Sequence, residues 1–366
     1  MTVGFHAPHP RARTGVAAYS AALLEGLREL GRVERGASHA DVHLYHLGNN
    51  QLHRTIYQRA LELPGVAVVH DAVLMHFFLG QLPRQAFLDE FVFNYGEWAR
   101  ELAARLWEGR ARSAQDPRYF EYPMLRRIAE RSRALIVHNP GAASRVSAHA
   151  PAARVFEIPH LFVAPCLPAA SEVARFRQEM GIAGRTFLFG LFGHLRESKR
   201  VLPVLRAFQA VRAAGAGVAL LVAGEFSSAD LARAAAPLLQ SPGVVRVGYT
   251  PERKFWRLAA TVDAGINLRY PAAGETSGIT IRLMGIGKPV IMSAGEETAR
   301  FPAEACLKVD PGPGEEEMLA AYMRWLAASP EAARQLGRRA REHIHTHHGL
   351  DRVSRQYWEV LRASVE

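Results

Sequence analysis

Short, uninterrupted apolar runs recur along this chain of 366 residues, and segments with helical apolar spacing separate them. The clearest runs are Phe187–Phe192, Val218–Ala223 and Val290–Ser293. A continuous apolar run of about four to eight residues is typical of a strand buried on both faces. Such strands alternating with helices indicate parallel, doubly wound sheets, and the chain is long enough for two domains. We therefore predict an α/β protein with two Rossmann-like domains.

The predicted elements fall into two halves, separated by a proline-rich stretch at residues 159–168. In the first half we predict strands at 2–6, 42–47, 66–70, 134–138 and 155–158, and helices at 16–30, 87–107 and 123–133. In the second half we predict strands at 187–192, 218–223, 244–247, 264–268 and 290–293, and helices at 171–180, 202–214 and 253–260. Residues 315–365 are predicted to be helical with a break near 347–349.

The net charge of +10 has two explanations, a composition bias towards arginine or anionic partners such as nucleotide diphosphates and acidic lipid surfaces. The basic residues are spread along the chain without a recognition motif, which argues against nucleic acid. The two cysteines, Cys166 and Cys306, fit neither a metal-binding spacing nor a disulfide framework. No apolar run approaches the ~20 residues of a membrane span, and no secretory signal is visible. We expect a cytoplasmic protein.

The stretch from Gly274 to Ile291 is predicted to contain a small-residue turn, a short helix, a glycine stop and a buried strand. Unpaired N–H groups and the positive end of the helix dipole suit such a helix start to a phosphate. Glu275 lies just ahead of the helix and would repel phosphate, so it is better suited to accepting hydrogen bonds from sugar hydroxyls. Phosphate and sugar together suggest a nucleotide-sugar site.

A second candidate loop, residues 193–200, follows a predicted buried strand and precedes a predicted helix. Ligands of open α/β sheets bind at the carboxyl ends of strands, so the loop is well placed. Gly193 permits close approach of the backbone, and Lys199 with a nearby arginine can neutralise a diphosphate. Taken alone, the loop could equally be a solvated charged turn.

Together the two segments resemble the retaining glycosyltransferases of the GT-B fold, in the large family usually called family 4. That family has a glycine followed six positions later by a lysine, matched here by Gly193 and Lys199. It also has an acidic residue, a glycine, an Ala-Met-like helix and a Gly-x-Pro-Val strand start. The matching residues are Glu275, Gly278, Met284, Gly287, Pro289 and Val290. Further matches are Gly15-Val16 and the run Gly248-Tyr249-Thr250-Pro251 followed by Phe255, Leu258 and Asp263.

The resemblance implies two domains that face a central cleft. The first, at 1–165, would bind the acceptor and be joined by a C-terminal helix at 350–366, while the second, at 166–349, would bind the donor. It implies transfer of a sugar from a nucleotide-sugar donor with retention at the anomeric carbon, with no metal and no other cofactor. The acceptor is left open among a glycan, a lipid-linked saccharide and a small molecule.

The resemblance also assigns site residues. We expect catalytic roles for His70, Lys199 and Glu275. The residues expected to bind the donor are Gly15, Gly193, His194, Arg196, Lys199, Glu225, Tyr249, Glu275, Thr276, Ser277, Gly278 and Ile279. Lys199, Arg196 and the amides around 276–279 would stabilise charge developing on the departing diphosphate. The residues expected to bind the acceptor are Asn49, Asp71 and His138, which follow or end predicted strands of the first half.

Two positions depart from the family pattern. The arginine that follows the first glycine in the family is His194 here, so Arg196 or Arg200 would take its place. The family's second glutamate, which would bind the ribose, is replaced by Arg282 when the chain is aligned back from Gly287. Glu225 is a candidate substitute for that glutamate.

An aromatic-rich region between Met75 and Trp98 fits core packing or the wall of an acceptor channel. With the arginines at 100, 105, 110 and 112 it would also suit peripheral contact with an anionic membrane face.

Two other functions are compatible with the same fold. One is a nucleotide-sugar epimerase, for which His70, Asp71 and His138 would be the acid and base candidates. The other is an inactive nucleotide-sugar-binding scaffold.

Overall fold

The computed structural model describes residues 1–365, and the chain divides into two compact units. Unit 1 comprises Met1–Val163, Pro271–Thr276 and the chain from His347 onward. Unit 2 comprises Ala164–Tyr270 and Ser277–Thr346. Each unit is built on a parallel sheet, which confirms the predicted pair of Rossmann-like domains.

The sheet of unit 1 contains six parallel strands within the described residues. They are β1 (Thr2–His6), β2 (Arg32–Arg35), β3 (Val42–Leu47), β4 (Val66–Val69), β5 (Ala134–Val137) and β6 (Val155–Glu157). Their order is β2-β1-β3-β4-β5-β6. The helices are α1 (Gly15–Arg28), α2 (Arg54–Glu62), α3 (Met75–Leu79), α4 (Arg84–Tyr95), α5 (Arg100–Gly109), α6 (Arg126–Arg131), α7 (Pro140–His149) and, at the end of the chain, α15 (Leu350–Arg362).

Unit 2 has a second parallel sheet, again with six strands among the residues described. The strands are β7 (Phe187–Phe192), β8 (Val218–Ala223), β9 (Val244–Val247), β10 (Ala264–Asn267), β11 (Val290–Ser293) and β12 (Leu307–Val309). The helices are α8 (Ala170–Glu179), α9 (Val201–Ala213), α10 (Ala229–Leu239), α11 (Glu252–Thr261), α12 (Gly278–Gly285), α13 (Glu315–Ala328) and α14 (Pro330–His347).

The strand order of unit 2 is β12-β11-β10-β7-β8-β9, so β7 and β10 are neighbours at the point where the winding direction reverses. Open α/β sheets bind ligands in the crevice outside the carboxyl ends of such strands. The loops that follow β7 and β10 are the two segments that carry the sequence motifs. The topology therefore brings the motifs, about 80 residues apart in sequence, to one edge of the sheet.

Burial explains why the apolar runs form central strands. All six residues of β7 and all six of β8 are buried, and the strands pair in register from Phe187–Val218 to Phe192–Ala223. In unit 1, helix α15 covers the same face of the sheet as α1. Leu23 and Leu27 of α1 share an apolar core there with Tyr357 and Leu361 of α15. The hydroxyl groups of Tyr19 and Tyr357 are 2.8 Å apart and form a buried hydrogen bond between the two helices.

One predicted element is wrong, and several elements are not predicted. The single helix predicted over 87–107 is two helices, because α4 ends at Tyr95 and Gly96 adopts a φ of +93°, a left-handed conformation that interrupts a helix. Strand β2 is not predicted, since three of its four residues are charged and only Val33 is a buried apolar side chain. Helices α2, α7 and α10 are also absent from the prediction.

Candidate functional site

The loop after β7 turns at Gly193, whose φ of +91° lies in the region that favours glycine. A Cβ at this position would lie 2.8 Å from the Nζ of Lys199. Lys199 is 4% exposed, and its Nζ donates a hydrogen bond to the carbonyl oxygen of Phe192 at 2.5 Å. The loop therefore holds a buried ammonium group beside a glycine, at the carboxyl end of a central strand.

The loops after β8 and β9 adjoin this turn. Gly224 follows β8, and a Cβ there would lie 1.9 Å from the carbonyl oxygen of Gly193, so the position tolerates no side chain. Glu225 accepts a hydrogen bond at its Oε1 from the backbone N–H of Tyr249, at 2.6 Å. Glu225 and Tyr249 are both exposed, as are His194 and Arg196. Three consecutive strand ends thus present polar side chains at one edge of the unit 2 sheet.

The first turn of α12 is anchored to β10 by Asn267, which is 3% exposed. Its Nδ2 donates to the Oγ of Ser277 at 2.7 Å and to the Oγ1 of Thr280 at 2.6 Å. Ser277 is also the N-cap, because its Oγ accepts from the N–H of Thr280. The N–H groups of Gly278 and Ile279 lie in the first turn, where a helix offers no intrahelical acceptor.

The first turn of α12 also lies close to the Gly193 loop. A Cβ on Gly193 would be 3.7 Å from the Cγ1 of Ile279. The unpaired amides and positive dipole end of an eight-residue helix therefore adjoin the loop that carries Lys199. This arrangement is suited to binding an anion such as a diphosphate.

Arg282, at the position where the sequence resemblance leads us to expect a ribose-binding glutamate, is directed towards α11. Its guanidinium donates to both carboxylate oxygens of Glu252, at 2.8 and 3.0 Å, and lies 5.1 and 5.2 Å from the ring centroids of Phe255 and Trp256. An arginine with these partners is positioned by α11, and Glu252 balances its charge.

Arg200, one of the two arginines considered as a replacement for His194, has a structural partner. Its backbone is left-handed, with a φ of +55°, and its guanidinium is 2.6 Å from the carboxylate of Glu315, which is 1% exposed. Removal of Arg200 would leave a buried carboxylate without this cation. Arg196 is exposed and precedes the short turn that carries Lys199.

In unit 1, three histidines form a hydrogen-bonded row across neighbouring strands. His46 lies in β3, and His70 and His138 come directly after β4 and β5. The Nδ1 of His46 is 2.9 Å from the Nε2 of His70, and the Nδ1 of His70 is 3.3 Å from the Nε2 of His138. The Nδ1 of His138 is 3.0 Å from the carbonyl oxygen of Ile158. Both ring nitrogens of His70 therefore form hydrogen bonds with other histidines of unit 1.

Burial keeps these imidazoles neutral. It lowers the pKa of His46 and His70 well below the usual value of 6.5, and neighbouring histidines lower both further. Burial likewise lowers the pKa of His138 to about 4, although the carbonyl of Ile158 acts in the opposite direction. The ring of Tyr19 packs edge-on against His70, with centroids 4.9 Å apart. The row is thus a dry, uncharged cluster at physiological pH.

Residues 271–276, which we call the Glu275 loop, belong to unit 1 by their contacts although β10 and α12 flank them in the chain. Asn139 donates from its Nδ2 to the carbonyl oxygen of Gly274 and to the Oγ1 of Thr276, both at 2.9 Å. The hydroxyl of Thr276 donates to the carbonyl oxygen of His138 at 3.2 Å. Glu275 accepts the N–H of Ala273 at its Oε2, at 2.8 Å, which closes the turn.

The predicted acceptor residues Asn49 and Asp71 are joined directly. The Oδ2 of Asp71 accepts from the N–H of Asn49 at 2.8 Å. Asn49 in turn caps α3, because its Oδ1 accepts from the N–H of Phe77 at 2.8 Å. Both side chains are partly exposed, at the same sheet edge as His70.

The structure distributes the predicted site residues over both units. Unit 1 holds Gly15, Asn49, His70, Asp71, His138, Glu275 and Thr276, and unit 2 holds Gly193, His194, Arg196, Lys199, Glu225, Tyr249, Ser277, Gly278 and Ile279. Gly15 is the first residue of α1 and no atom approaches its Cβ position. Sequence reasoning did not single out His46 and Asn267, and it noted Asn139 only as the residue after His138. A polar residue in or directly after an otherwise apolar strand was the available signal for all three.

The aromatic-rich segment carries fewer free positive charges than its sequence indicates. Arg100 pairs with Asp89 and with Glu97, and Arg105 pairs with Glu101. Most of the aromatic rings belong to the unit 1 core, which agrees with core packing. Trp98 is the exception, at 75% exposed.

Within residues 1–365, no helix is both long and apolar enough to cross a bilayer. Over the same residues, no three or more His, Cys, Asp or Glu side chains are grouped so as to hold a metal ion.

Comparison with known proteins relates this geometry to a class of enzymes. Residues 199–359, somewhat less than half of the chain, match the family model described as "Glycosyl transferase-like". No curated protein matches the chain by sequence. The matched segment begins at Lys199 and includes α12 with its N-terminal turn.

Several solved structures share the fold over almost the full length. Sucrose-phosphate synthase from Thermosynechococcus elongatus is 15% identical, with a TM-score of 0.71 and coverage of 99% of this chain and 98% of that one. Anabaena HepE, solved in complex with UDP-glucose, is 14% identical, with a TM-score of 0.67 and coverage of 99% and 100%. WaaG, a glycosyltransferase involved in lipopolysaccharide biosynthesis, is 13% identical, with a TM-score of 0.63 and coverage of 98% and 99%. The chain therefore has the GT-B fold and carries a glycosyl transferase-like domain.

Proposed function

We propose that this protein is a retaining glycosyltransferase that moves a sugar from a nucleotide-sugar donor to an acceptor without a metal ion. The observation that carries the proposal is that the Gly193–Lys199 loop and the first turn of α12 lie close together in unit 2. A buried ammonium group and unpaired helix amides next to each other are suited to a diphosphate leaving group. Protein cations would then supply the charge stabilisation that a metal ion supplies in other transferases.

In unit 2, Lys199, Arg196 and the amides of Gly278 and Ile279 would hold the diphosphate and stabilise the negative charge that develops as the glycosidic bond breaks. Ser277 and Asn267 would keep the first turn of α12 in place. The exposed His194 would take the family's arginine position at the start of the loop.

The nucleoside would be held at the ends of β8 and β9. Glu225 and Tyr249 lie there, joined through the N–H of Tyr249. Arg282 stands where a ribose-binding glutamate was expected, and it pairs with Glu252. Glu225 would therefore bind the ribose in place of that glutamate. HepE was solved with UDP-glucose, which makes a uridine nucleotide the first candidate.

In unit 1, Glu275 would accept hydrogen bonds from donor sugar hydroxyls, and Asn49 and Asp71 would line the acceptor side. His138, also predicted from the sequence to bind the acceptor, is buried with both ring nitrogens hydrogen-bonded, so it would support the site. Retention would follow if the acceptor attacks on the face from which the diphosphate departs. The acceptor hydroxyl would lose its proton to the leaving phosphate oxygen as the new glycosidic bond forms, so no protein nucleophile is needed. The acceptor would be a glycan, a lipid-linked saccharide or a small molecule.

We also propose a cytoplasmic location, with contact at an anionic membrane face as an option for a lipid-linked acceptor. Trp98 supports such contact because its ring is largely exposed, whereas the ion pairs of Arg100 and Arg105 weaken it. Flotation with anionic vesicles, compared for the native chain and Trp98→Ala, tests the contact directly.

The decisive experiment is a thermal-shift panel of UDP, GDP, dTDP and ADP with their common sugar conjugates, followed by a transfer assay with the best donor. A ligand at 100 times its dissociation constant adds about 2.7 kcal/mol of stability, which is an easily measured shift. A clear preference followed by turnover with a retained anomeric configuration supports the proposal. Binding without transfer or hydrolysis indicates the scaffold function instead, and no shift with any donor contradicts the donor site.

A further inference from the structure

We propose that His46, His70 and His138 form a positioning relay that holds the Glu275 loop in place. All the contacts of the relay lie within unit 1. Its consequence for catalysis rests on the proposed function of Glu275. The three rings would be positioning residues, because each acts through its neighbour and through the backbone beyond His138.

One backbone carbonyl sets the proton positions of all three rings. The carbonyl oxygen of Ile158 can only accept, so the Nδ1 of His138 carries a proton and its Nε2 is an acceptor. The Nδ1 of His70 must then donate to that Nε2, which leaves the Nε2 of His70 as an acceptor for the Nδ1 of His46. Each neutral ring is therefore in the Nδ1-protonated tautomer.

An added proton would break the relay. A protonated His70 would direct an N–H at the N–H of His46, and a protonated His138 would do the same towards His70. Desolvation already opposes such charges, and it lowers the pKa of all three rings. The Nε2 of His46 has no hydrogen-bond partner among residues 1–365, and the nearest ring centroid is that of Phe5, 4.9 Å away. The relay thus ends in apolar surroundings at His46.

This arrangement bears on the expected catalytic role of His70. Both of its ring nitrogens are bonded to other histidines, and the residue is 8% exposed. Proton transfer by His70 would require one of these bonds to break first. The geometry therefore makes His70 a residue that positions the site and does not transfer a proton.

The relay reaches the Glu275 loop through His138 and its neighbour Asn139. The carbonyl oxygen of His138 accepts from the hydroxyl of Thr276, and Asn139 donates to Gly274 and Thr276. Asn139 is 2% exposed and is itself fixed, because its Oδ1 accepts from the N–H of Ala142 at 2.8 Å. These bonds flank Glu275 on both sides in the chain.

A second contact joins the loop to the strand end that carries His70. Ala72 comes two residues after His70, and a Cβ on Gly274 would lie 2.5 Å from the Cβ of Ala72. The φ of Gly274 is +75°, so this close approach requires glycine. The carboxyl ends of β4 and β5 thus support the loop together, and the histidine bonds join the residues that follow these two strands.

The test compares three variants of the full chain. His46→Leu removes the donor at the start of the relay, whereas His46→Asn keeps an amide N–H close to the position of Nδ1. His43→Leu is the matched control, because His43 lies in the same strand, is buried and bonds to another histidine, His6, at 3.0 Å. Two measurements are made: ¹⁵N NMR of the histidine rings, and hydrogen exchange of peptides covering 271–276.

We expect Nδ1-protonated, neutral rings at all three positions in the native chain at pH 7. We expect His46→Leu to speed exchange in the Glu275 loop about tenfold or more, His46→Asn to restore most of the protection, and His43→Leu to leave it unchanged. Nε2-protonated rings at His70 or His138, or unchanged exchange in His46→Leu, would overturn the relay. If His46→Leu does not fold, the ring tautomers and the His46→Asn comparison decide the question.

The catalytic consequence is measured separately. If the native chain transfers sugar, His46→Leu should lower kcat about tenfold while the dissociation constant of the nucleoside diphosphate stays constant, because the Lys199 loop is untouched. An unchanged kcat in a variant with a loosened loop contradicts the catalytic consequence. A native chain that binds no nucleotide sugar, yet shows the expected tautomers and exchange, would refute the proposed function and leave the relay intact.

Discussion

Lys199 has an environment that is costly to build for stability alone. The residue is 4% exposed, and its Nζ donates a hydrogen bond to the carbonyl oxygen of Phe192. Burial of an ammonium group costs several kcal/mol unless charges or hydrogen bonds compensate for it. The hydrogen bond to Phe192 supplies part of that compensation. In the proposed function, a diphosphate bound beside the Gly193 turn would add an opposite charge.

Lys199→Ala should weaken binding of the preferred nucleoside diphosphate by about tenfold or more, which corresponds to about 1.4 kcal/mol. Isothermal titration calorimetry measures the change. Lys254→Ala is the matched control, since Lys254 is an exposed lysine on α11 of the same unit. An affinity for Lys199→Ala equal to that of the control would remove Lys199 from the diphosphate site.

Glu275→Ala should lower turnover by about tenfold or more, because the carboxylate that would hold the sugar hydroxyls is lost. Glu275→Gln separates the two roles of the side chain, since an amide oxygen can still accept from the N–H of Ala273 and close the turn. We expect Glu275→Gln to keep the thermal midpoint of the native chain but to remain impaired in kcat. Full activity in Glu275→Gln would show that the charge is not needed.

At the scale of elements, the ends of β7, β8 and β10 are built around close backbone approaches. Gly193 and Gly224 both have positive φ, and the Cβ position of Gly224 is 1.9 Å from the carbonyl oxygen of Gly193. Asn267 joins the end of β10 to the first turn of α12. The strands therefore determine where the loops begin, and the glycines determine how closely the loops approach.

Gly224→Ala should destabilise the protein by about 2–4 kcal/mol, from a strained backbone together with a clash that only backbone movement can relieve. Urea unfolding monitored by circular dichroism gives the change. Gly217→Ala serves as the control, because no atom lies within 4 Å of its Cβ position and its φ is not positive. If Gly224→Ala and Gly217→Ala had a similar free energy of unfolding, the loops after β7 and β8 would be able to move apart at little cost.

At the scale of the whole molecule, buried neutral histidines couple stability to pH. The rings of His46, His70 and His138 have a lowered pKa in the folded chain, while an unfolded histidine titrates near 6.5. Below that pH the unfolded chain binds protons that the folded chain does not, so acid favours unfolding. Glu90 acts in the opposite direction, because burial raises its pKa.

The thermal midpoint should therefore fall as the pH is lowered from about 6.5 towards 4. His138 alone, with a folded pKa of about 4, contributes about 3 kcal/mol to this loss, since one pKa unit is worth about 1.4 kcal/mol. Calorimetry of the native chain and of His138→Asn across this range measures the effect. The variant should show a shallower dependence on pH, and an equally steep dependence would mean that His138 is charged in the folded state.

The apolar runs determined most of the fold. Burial on both faces requires mainly apolar residues, and this local requirement predicts β1, β3, β7, β8 and β11 with the bounds found. Strand β9 was also predicted with the bounds found, although its residues are only partly buried. The motifs also predicted two loops at strand ends, since Gly193, Lys199 and Glu275 all lie in loops or short turns that follow strands. The positions of these strands and loops depend on residues that are close in the chain, so a local sequence pattern can predict them.

Tertiary structure decided which distant residues meet. The Glu275 loop belongs to unit 1 through Asn139, more than 130 residues earlier in the chain, and Arg282 is directed to Glu252, thirty residues away. The histidine row exists only because three parallel strands are aligned in register. Such contacts depend on strand order and on the burial of polar groups, and neither can be predicted from a local sequence pattern. The sequence by itself determined the strands and the polar residues at their ends, whereas packing decided which of those ends support one another.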